Sequence, residues 1–62
     1  MLVDKIRQLC KESGNTLASL ERSLGIGNGV IARWDAHKPS VDRVKAVADF
    51  FGCTVDELLK EE

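Results

Sequence analysis

The chain has 62 residues, of which 44% are hydrophobic and 31% are charged, and its formal net charge is −1. This length predicts one domain over residues 1–62 with a thin stability margin, because so short a chain buries only about 60% of the surface that its unfolded form exposes. The sequence contains no apolar run long enough to span a membrane and no signal-peptide pattern, so we expect a cytoplasmic protein with no membrane partner.

The hydrophobic spacing predicts five short helices and no strand, an all-α fold around one small core. The first helix is predicted over residues 2–12, and Gly14 is its expected C′ residue. The ranges predicted for the other four are about 16–24, about 27–35, 41–51 and about 55–60. The apolar faces are, in chain order, Leu2, Ile6, Leu9 and Cys10; Leu17, Leu20 and Leu24; Ile31 and Trp34; Val41, Val44, Val47, Ala48 and Phe51; and Val55, Leu58 and Leu59.

Capping residues mark the expected helix starts. Thr16 is the candidate N-cap of the second helix, with Asn15 as the alternative, and Ser40 is the candidate N-cap of the fourth. Thr54 stands three residues before Glu57, a spacing that predicts a capping box at the start of the fifth helix. These positions place the helix boundaries independently of the hydrophobic pattern.

Residues 16–35 combine two of these helices with a tight turn at Gly25, where glycine takes the left-handed conformation of a helix C-terminus. The second of the two carries Asn28, Gly29, Ala32 and Arg33 on the side away from its apolar residues. Gly29 is interpreted either as a point where the backbone approaches another surface closely or as a tolerated weak position in the first helical turn. A rigid helix pair with an outward face of this kind is the geometry of a helix-turn-helix.

Residues for catalysis or metal binding are sparse. His37 is the only histidine and stands near neither Cys10 nor Cys53, which lie among apolar residues and are expected to be buried, reduced thiols. No Ser/His/Asp or Cys/His set has a useful spacing. The glycine-rich stretch at 25–29 follows a predicted helix, whereas a nucleotide-binding loop follows a strand. We therefore expect no enzyme activity, cofactor, metal or small-molecule ligand.

Charge is distributed unevenly along the chain. Residues 1–48 contain eight Lys or Arg against five acidic residues, whereas residues 49–62 contain one Lys against five acidic residues. This polarity allows a basic face toward nucleic acid, but a mixed, solvated surface explains the same counts equally well. The charge distribution is compatible with a nucleic-acid partner without requiring one.

The chain resembles the Cro and lambda-repressor type of helix-turn-helix domain, called the XRE family, over almost its whole length. The residues that carry the resemblance are Leu20, Gly25, Ile26, Ile31, Trp34, Pro39, Ser40, Val44, Val47, Ala48, Phe51, Gly52, Val55, Leu58 and Leu59. The resemblance implies a lambda-repressor-like fold and a sequence-specific DNA-binding transcription regulator, expected to be a repressor. It also implies a homodimer on an inverted repeat of double-stranded DNA, with the third helix in the major groove.

Candidate DNA contacts follow from the same resemblance. Base edges are expected to meet Asn28, Gly29, Ala32 and Arg33, and phosphates are expected to meet Thr16, Leu17, Gly27, Lys38, Ser40 and Arg43. An alternative for Arg33 is a solvated side chain paired with Asp35 or Glu21. The dimer surface is expected near Phe50 and residues 55–59.

The chain departs from the family pattern at several positions. Leu17 replaces the usual glutamine, Glu21 the frequent alanine, and Gly27 and Ala32 the usual serines. Leu17 in place of glutamine, the negative net charge and Gly29 together support an alternative function. The domain would then be a protein-interaction module of the same fold that no longer binds DNA, such as a partner-binding or antitoxin-like subunit, with Leu17 exposed to the partner.

Overall fold

The computed structural model describes residues 2–60, and every regular element in that range is helical. Four α-helices follow in chain order: α1 (Leu2–Glu12), α2 (Leu17–Leu24), α3 (Val41–Phe51) and α4 (Val55–Leu59). A one-turn 3-10 helix, Ile31–Arg33, lies between α2 and α3. The all-α prediction is confirmed, and none of these helices is both long and apolar enough to cross a bilayer.

Side-chain caps set the starts of α2 and α3. Thr16 Oγ1 accepts the Ser19 N–H at 3.1 Å, and Ser19 Oγ accepts the Thr16 N–H at 3.0 Å. Ser40 Oγ accepts the Arg43 N–H at 3.3 Å. Both predicted N-caps are confirmed, because each hydroxyl satisfies an N–H group that the helix itself leaves without a partner.

Helix α4 begins after Thr54, whose Oγ1 accepts the Glu57 N–H at 3.1 Å. A capping box also requires the Thr54 N–H to donate to the Glu57 side chain. Here the Thr54 hydroxyl donates to Glu57 Oε1 instead, at 3.4 Å. Leu58 is buried in the core, whereas Leu59 is 49% exposed although the apolar pattern assigns it to the docking face. One fully buried leucine therefore carries most of the docking of this five-residue helix.

The core lies where α1, α2, the 3-10 helix, α3 and α4 meet. It consists of Val3, Ile6, Cys10, Leu20, Ile26, Ile31, Trp34, Val44, Val47, Ala48 and Leu58. Trp34 is 3% exposed, which confirms its prediction as a core residue. Val41 is 77% exposed, so its assignment to the buried stripe of α3 is wrong. It is the first residue of that helix and lies one turn ahead of Val44, where the helix first contacts the core.

The two cysteines are free thiols with different environments. Cys10 is buried in the core, as predicted, whereas Cys53 is only half-buried. Burial raises the pKa of the Cys10 thiol, because the charged thiolate would lose its hydration there. The Cys10 side chain therefore behaves as a small, protonated hydrophobic group at neutral pH.

The third predicted helix differs most from expectation. Residues 27–35, called here the 27–35 segment, form turns on both sides of the 3-10 helix, and the predicted continuous α-helix is absent from this described part of the chain. Gly29 has φ +83°, a left-handed conformation that ends any α-helix begun at Gly27. The Val30 N–H donates to the Gly27 carbonyl at 3.2 Å and the Arg33 N–H to the Val30 carbonyl at 3.1 Å, with 3-10 spacing. Glycine is thus needed at position 29 for a turn.

Candidate nucleic-acid interface

The 27–35 segment separates buried from exposed side chains. Ile31 and Trp34 lie in the core, and the 3-10 helix packs against both α1 and α2. The four residues predicted to meet base edges are all exposed: Asn28, Gly29, Ala32 and Arg33. The segment therefore presents an outward face that two large buried side chains anchor from behind.

Arg33 borders an open groove with a volume of about 520 Å³, called here the basic groove. Its lining residues are Val30, Arg33, Trp34, His37, Lys38, Pro39, Ser40 and Arg43. The structure thus brings one predicted base-contacting residue, Arg33, together with three predicted phosphate-contacting residues, Lys38, Ser40 and Arg43. Among these lining residues three are permanently cationic and none is acidic, so the groove favours an anionic ligand.

His37 also lines the basic groove, although no DNA contact was predicted for it from the sequence. Its backbone N–H donates to the Arg33 carbonyl at 2.8 Å, which turns the connection to α3 back beside the 27–35 segment. One feature of the sequence could have indicated this position of His37, namely that it stands next to Lys38 in the connection to α3. Only the fold shows that both side chains lie on the same side as Arg33.

The start of α3 forms one wall of the basic groove. Because Ser40 Oγ accepts the Arg43 N–H, the Ser40 hydroxyl proton can point outward to another acceptor. The N–H groups of a first helical turn have no intrahelical acceptor and lie at the positive end of the helix dipole. Asp42 is exposed in the same turn but does not line the groove. This wall can therefore hold a phosphate oxygen.

The other three predicted phosphate contacts do not line the basic groove. Thr16 is exposed, but its N–H and hydroxyl oxygen are both engaged by Ser19. Leu17 is half-buried and packs against the core, which leaves less of its side chain for a protein partner than the alternative function requires. Gly27 is exposed, and a Cβ added there would lie 3.3 Å from Val30 Cγ2. The Leu17 N–H belongs to the first turn of α2, where N–H groups have no intrahelical acceptor.

Glu21 is the one charged side chain that is buried among residues 2–60, with 3% exposure. Its Oε1 accepts the Gly29 N–H at 3.1 Å, and its Oε2 accepts the Ile31 N–H at 2.9 Å. This arrangement was not predicted from the sequence, because a glutamate in an amphipathic helix is normally interpreted as solvent-exposed. Both carboxylate oxygens are therefore committed to the backbone of the 27–35 segment.

The two carboxylates proposed as alternative partners of Arg33 both accept backbone N–H groups, Glu21 with both oxygens and Asp35 with one. Glu21 binds the two backbone N–H groups just described, and Asp35 Oδ1 accepts the Val3 N–H at 3.4 Å. Arg33 itself is exposed at the edge of the basic groove. Its guanidinium group is therefore placed to meet an external acceptor.

A second, apolar groove of about 410 Å³ lies between the start of α1, the start of α3 and α4. Its lining residues are Leu2, Trp34, Asp35, Lys38, Pro39, Val41, Val44, Val55 and Leu59. Val55 and Leu59 belong to the region where a dimer surface was expected. Phe50 does not line this groove; it is 39% exposed and its ring meets that of Phe51 edge-on at 5.1 Å.

Comparison with known proteins places these features in a family context. The model of the family described as a Cro/C1-type HTH DNA-binding domain matches residues 5–62. The HTH-type transcriptional activator BcrR of Enterococcus faecalis is 31% identical over 61 residues, which cover 95% of this chain and 30% of that protein. The chain thus spans about a third of the length of this curated relative. No solved structure matches the chain significantly.

Proposed function

The chain belongs to the family of Cro/C1-type helix-turn-helix DNA-binding domains, and we propose that it is a sequence-specific transcription regulator that inserts the 27–35 segment into the major groove. The observation that carries this proposal is the basic groove. It gathers Arg33, Lys38, Ser40 and Arg43 beside the exposed face of the segment, with no acidic lining residue. Anionic DNA is the ligand that fits such a surface.

Sequence is read, in this proposal, by the exposed side chains of the 27–35 segment. Arg33 can donate two hydrogen bonds to guanine O6 and N7, and Asn28 can form a bidentate pair with adenine. Ala32 is suited to contact a thymine methyl group. Gly29 carries no side chain and its Cβ position faces open space, so a base or sugar can approach the backbone there.

Phosphates are held at two places that flank the segment. Lys38, Ser40 and Arg43 hold one strand at the basic groove. The backbone N–H groups of Leu17 and Gly27 are placed to contact the other strand from the start of α2 and the turn that follows it. These contacts position the domain without selecting a sequence.

We expect binding-site selection from random DNA to yield a defined sequence. In fluorescence anisotropy at about 50 mM salt, that duplex should bind more tightly than a scrambled duplex of the same composition, and both affinities should fall steeply by about 200 mM salt. Equal affinity for the two duplexes would contradict sequence-specific reading. Absence of any binding would favour the protein-interaction module instead.

Pairing of two copies through the apolar groove is the second part of the proposal. The groove carries Val41, Val55 and Leu59 together with one acidic and one basic rim residue, Asp35 and Lys38. A two-fold interface must be self-complementary, and the apolar patch of Val41, Val55 and Leu59 on one copy can pack against the same patch on the other. Two copies would read half-sites about one DNA turn apart, as an inverted repeat requires.

Analytical ultracentrifugation at high micromolar concentration tests this pairing. We expect a dimer for the wild type and a monomer for Leu59→Glu, because the new carboxylate would be buried in an apolar contact. Phe50→Glu is the matched control, since it places the same charge on an exposed apolar residue outside the groove. A monomeric wild type, or dissociation by Phe50→Glu alone, would contradict this assignment of the interface.

We further propose that DNA binding represses transcription. A bound pair of domains occupies promoter DNA that RNA polymerase must contact, so exclusion needs no surface beyond the one that binds DNA. The relative from Enterococcus faecalis is named an activator, and this chain spans 30% of it. A promoter–reporter fusion carrying the selected site distinguishes the two directions of control.

A further inference from the structure

The carboxylate of Glu21 holds the backbone of the 27–35 segment at two points. It lies in the buried face of α2, and its two oxygens accept the N–H groups of Gly29 and Ile31 at 3.1 and 2.9 Å. The Glu21 backbone carbonyl also accepts the Ile26 N–H at 2.8 Å. One residue of α2 therefore fixes three amides along the turn and the start of the 3-10 helix.

The two side-chain bonds restrict the conformation of the chain between them. Gly29 and Ile31 are two residues apart, and one carboxylate accepts both of their N–H groups. Gly29 supplies the positive φ that this turn requires. Asn28 immediately precedes the two held amides, and Ala32 and Arg33 follow them. The direction of these exposed side chains therefore depends on the two hydrogen bonds that the Glu21 carboxylate accepts, called here the Glu21 clamp.

We infer that Glu21 is the positioning residue for DNA reading: without touching DNA, it orients Asn28 and Arg33 and so determines sequence preference. This inference rests on the proposed function. It separates two properties of the domain. Glu21 controls discrimination between sequences. Lys38 and Arg43, which line the basic groove, control affinity for any duplex, because contacts to phosphates do not depend on the base sequence.

The test compares Glu21→Gln with Glu12→Gln. Both changes remove one negative charge and keep the side-chain size, but Glu12 is exposed near the end of α1. In Glu21→Gln one N–H group must face the amide nitrogen in place of an oxygen, so one of the two bonds is lost. We expect faster hydrogen exchange at Gly29 or Ile31 in the free protein, with unchanged circular dichroism and Trp34 fluorescence.

On DNA, Glu21→Gln should lose roughly tenfold in affinity for the selected duplex, about the value of one misdirected base contact, while its affinity for the scrambled duplex matches that of Glu12→Gln. Gly29→Ala disturbs the same turn from the other side, because alanine is strained at φ +83°. Its effect is measured as faster hydrogen exchange at the Ile31 amide in the free protein, because a methyl group at position 29 would also meet the DNA that approaches the backbone there.

The outcomes are distinct. An unchanged affinity ratio in Glu21→Gln, or equal losses on both duplexes together with altered Trp34 fluorescence, would overturn the positioning role. Unchanged hydrogen exchange at both amides would show that the clamp does not hold the segment in solution, and would overturn it as well. Failure of the wild type to bind any DNA would overturn the proposed function and the reading role together, whereas the exchange data would still report on the clamp.

Discussion

Replacing Arg33 with alanine should lower affinity for the selected duplex by about 5- to 150-fold, the range expected for one bidentate base contact. The reason is its exposure at the edge of the basic groove, with both oxygens of the buried Glu21 carboxylate bonded to backbone N–H groups. Site selection repeated with Arg33→Ala should lose the preference at one base pair of each half-site and keep it at the others. Fluorescence anisotropy on matched and scrambled duplexes gives the affinities.

Arg43→Ala is the control for Arg33→Ala, because it removes the same charge from the same groove at a residue assigned to phosphate. It should weaken selected and scrambled duplexes equally and reduce the salt dependence of binding by about one ion. If Arg33→Ala behaved like Arg43→Ala, Arg33 would be a phosphate contact and the assigned readout would be incorrect.

Leu20→Ala should remove most of the stability of the domain at 25 °C. Leu20 is completely buried in α2, which packs against the 3-10 helix, and removal of its side chain should cost about 2–5 kcal/mol. A core in a chain of this size supplies only about 3–5 kcal/mol in total. Urea unfolding followed by Trp34 fluorescence measures the loss, and the signal is unambiguous because Trp34 is the only tryptophan.

Leu59→Ala makes the same chemical change at a half-exposed position and should cost less than about 1 kcal/mol. The comparison is made at a protein concentration below that at which the chain associates, since Leu59 lines the apolar groove. Equal urea midpoints for the two variants would contradict the core described above.

The α-helices were predictable because their boundaries are encoded locally. Thr16 and Ser40 cap the helices that follow them, and Gly25 and Gly52 take the left-handed conformation at the ends of α2 and α3. Each of these signals lies within four residues of the boundary that it sets. The bounds of α1 and α3 accordingly agree with the sequence prediction, and α2 begins one residue after its predicted cap.

The 27–35 segment was not predictable in the same way. Its conformation depends on Glu21, which is eight residues from Gly29 and ten from Ile31 and bonds to them only after α2 and the segment have packed together. A glycine at position 29 is compatible with a weak helix or with a turn, and local sequence does not choose between them. The burial of a glutamate between two amides is a tertiary feature that hydrophobic spacing does not encode.

The candidate site also combines features that the sequence predicts with features that depend on tertiary structure. Exposure of Asn28, Gly29, Ala32 and Arg33 agrees with expectation, because the alternation with Ile31 and Trp34 is visible in the sequence. That Arg33 and Arg43 line the same groove could not be predicted from the sequence. It depends on the turn at His37 and Pro39, which brings the start of α3 beside the 27–35 segment.

The anchoring of the 27–35 segment from behind has a practical consequence for engineering. The side chains at positions 28, 32 and 33 are solvent-facing, while Ile31, Trp34 and the Glu21 clamp carry the attachment to the core. A combinatorial library restricted to those three positions would therefore sample new operator preferences against a constant scaffold. Regulators recovered from it should melt near the parental temperature, which would make them suitable as mutually orthogonal parts in one genetic circuit.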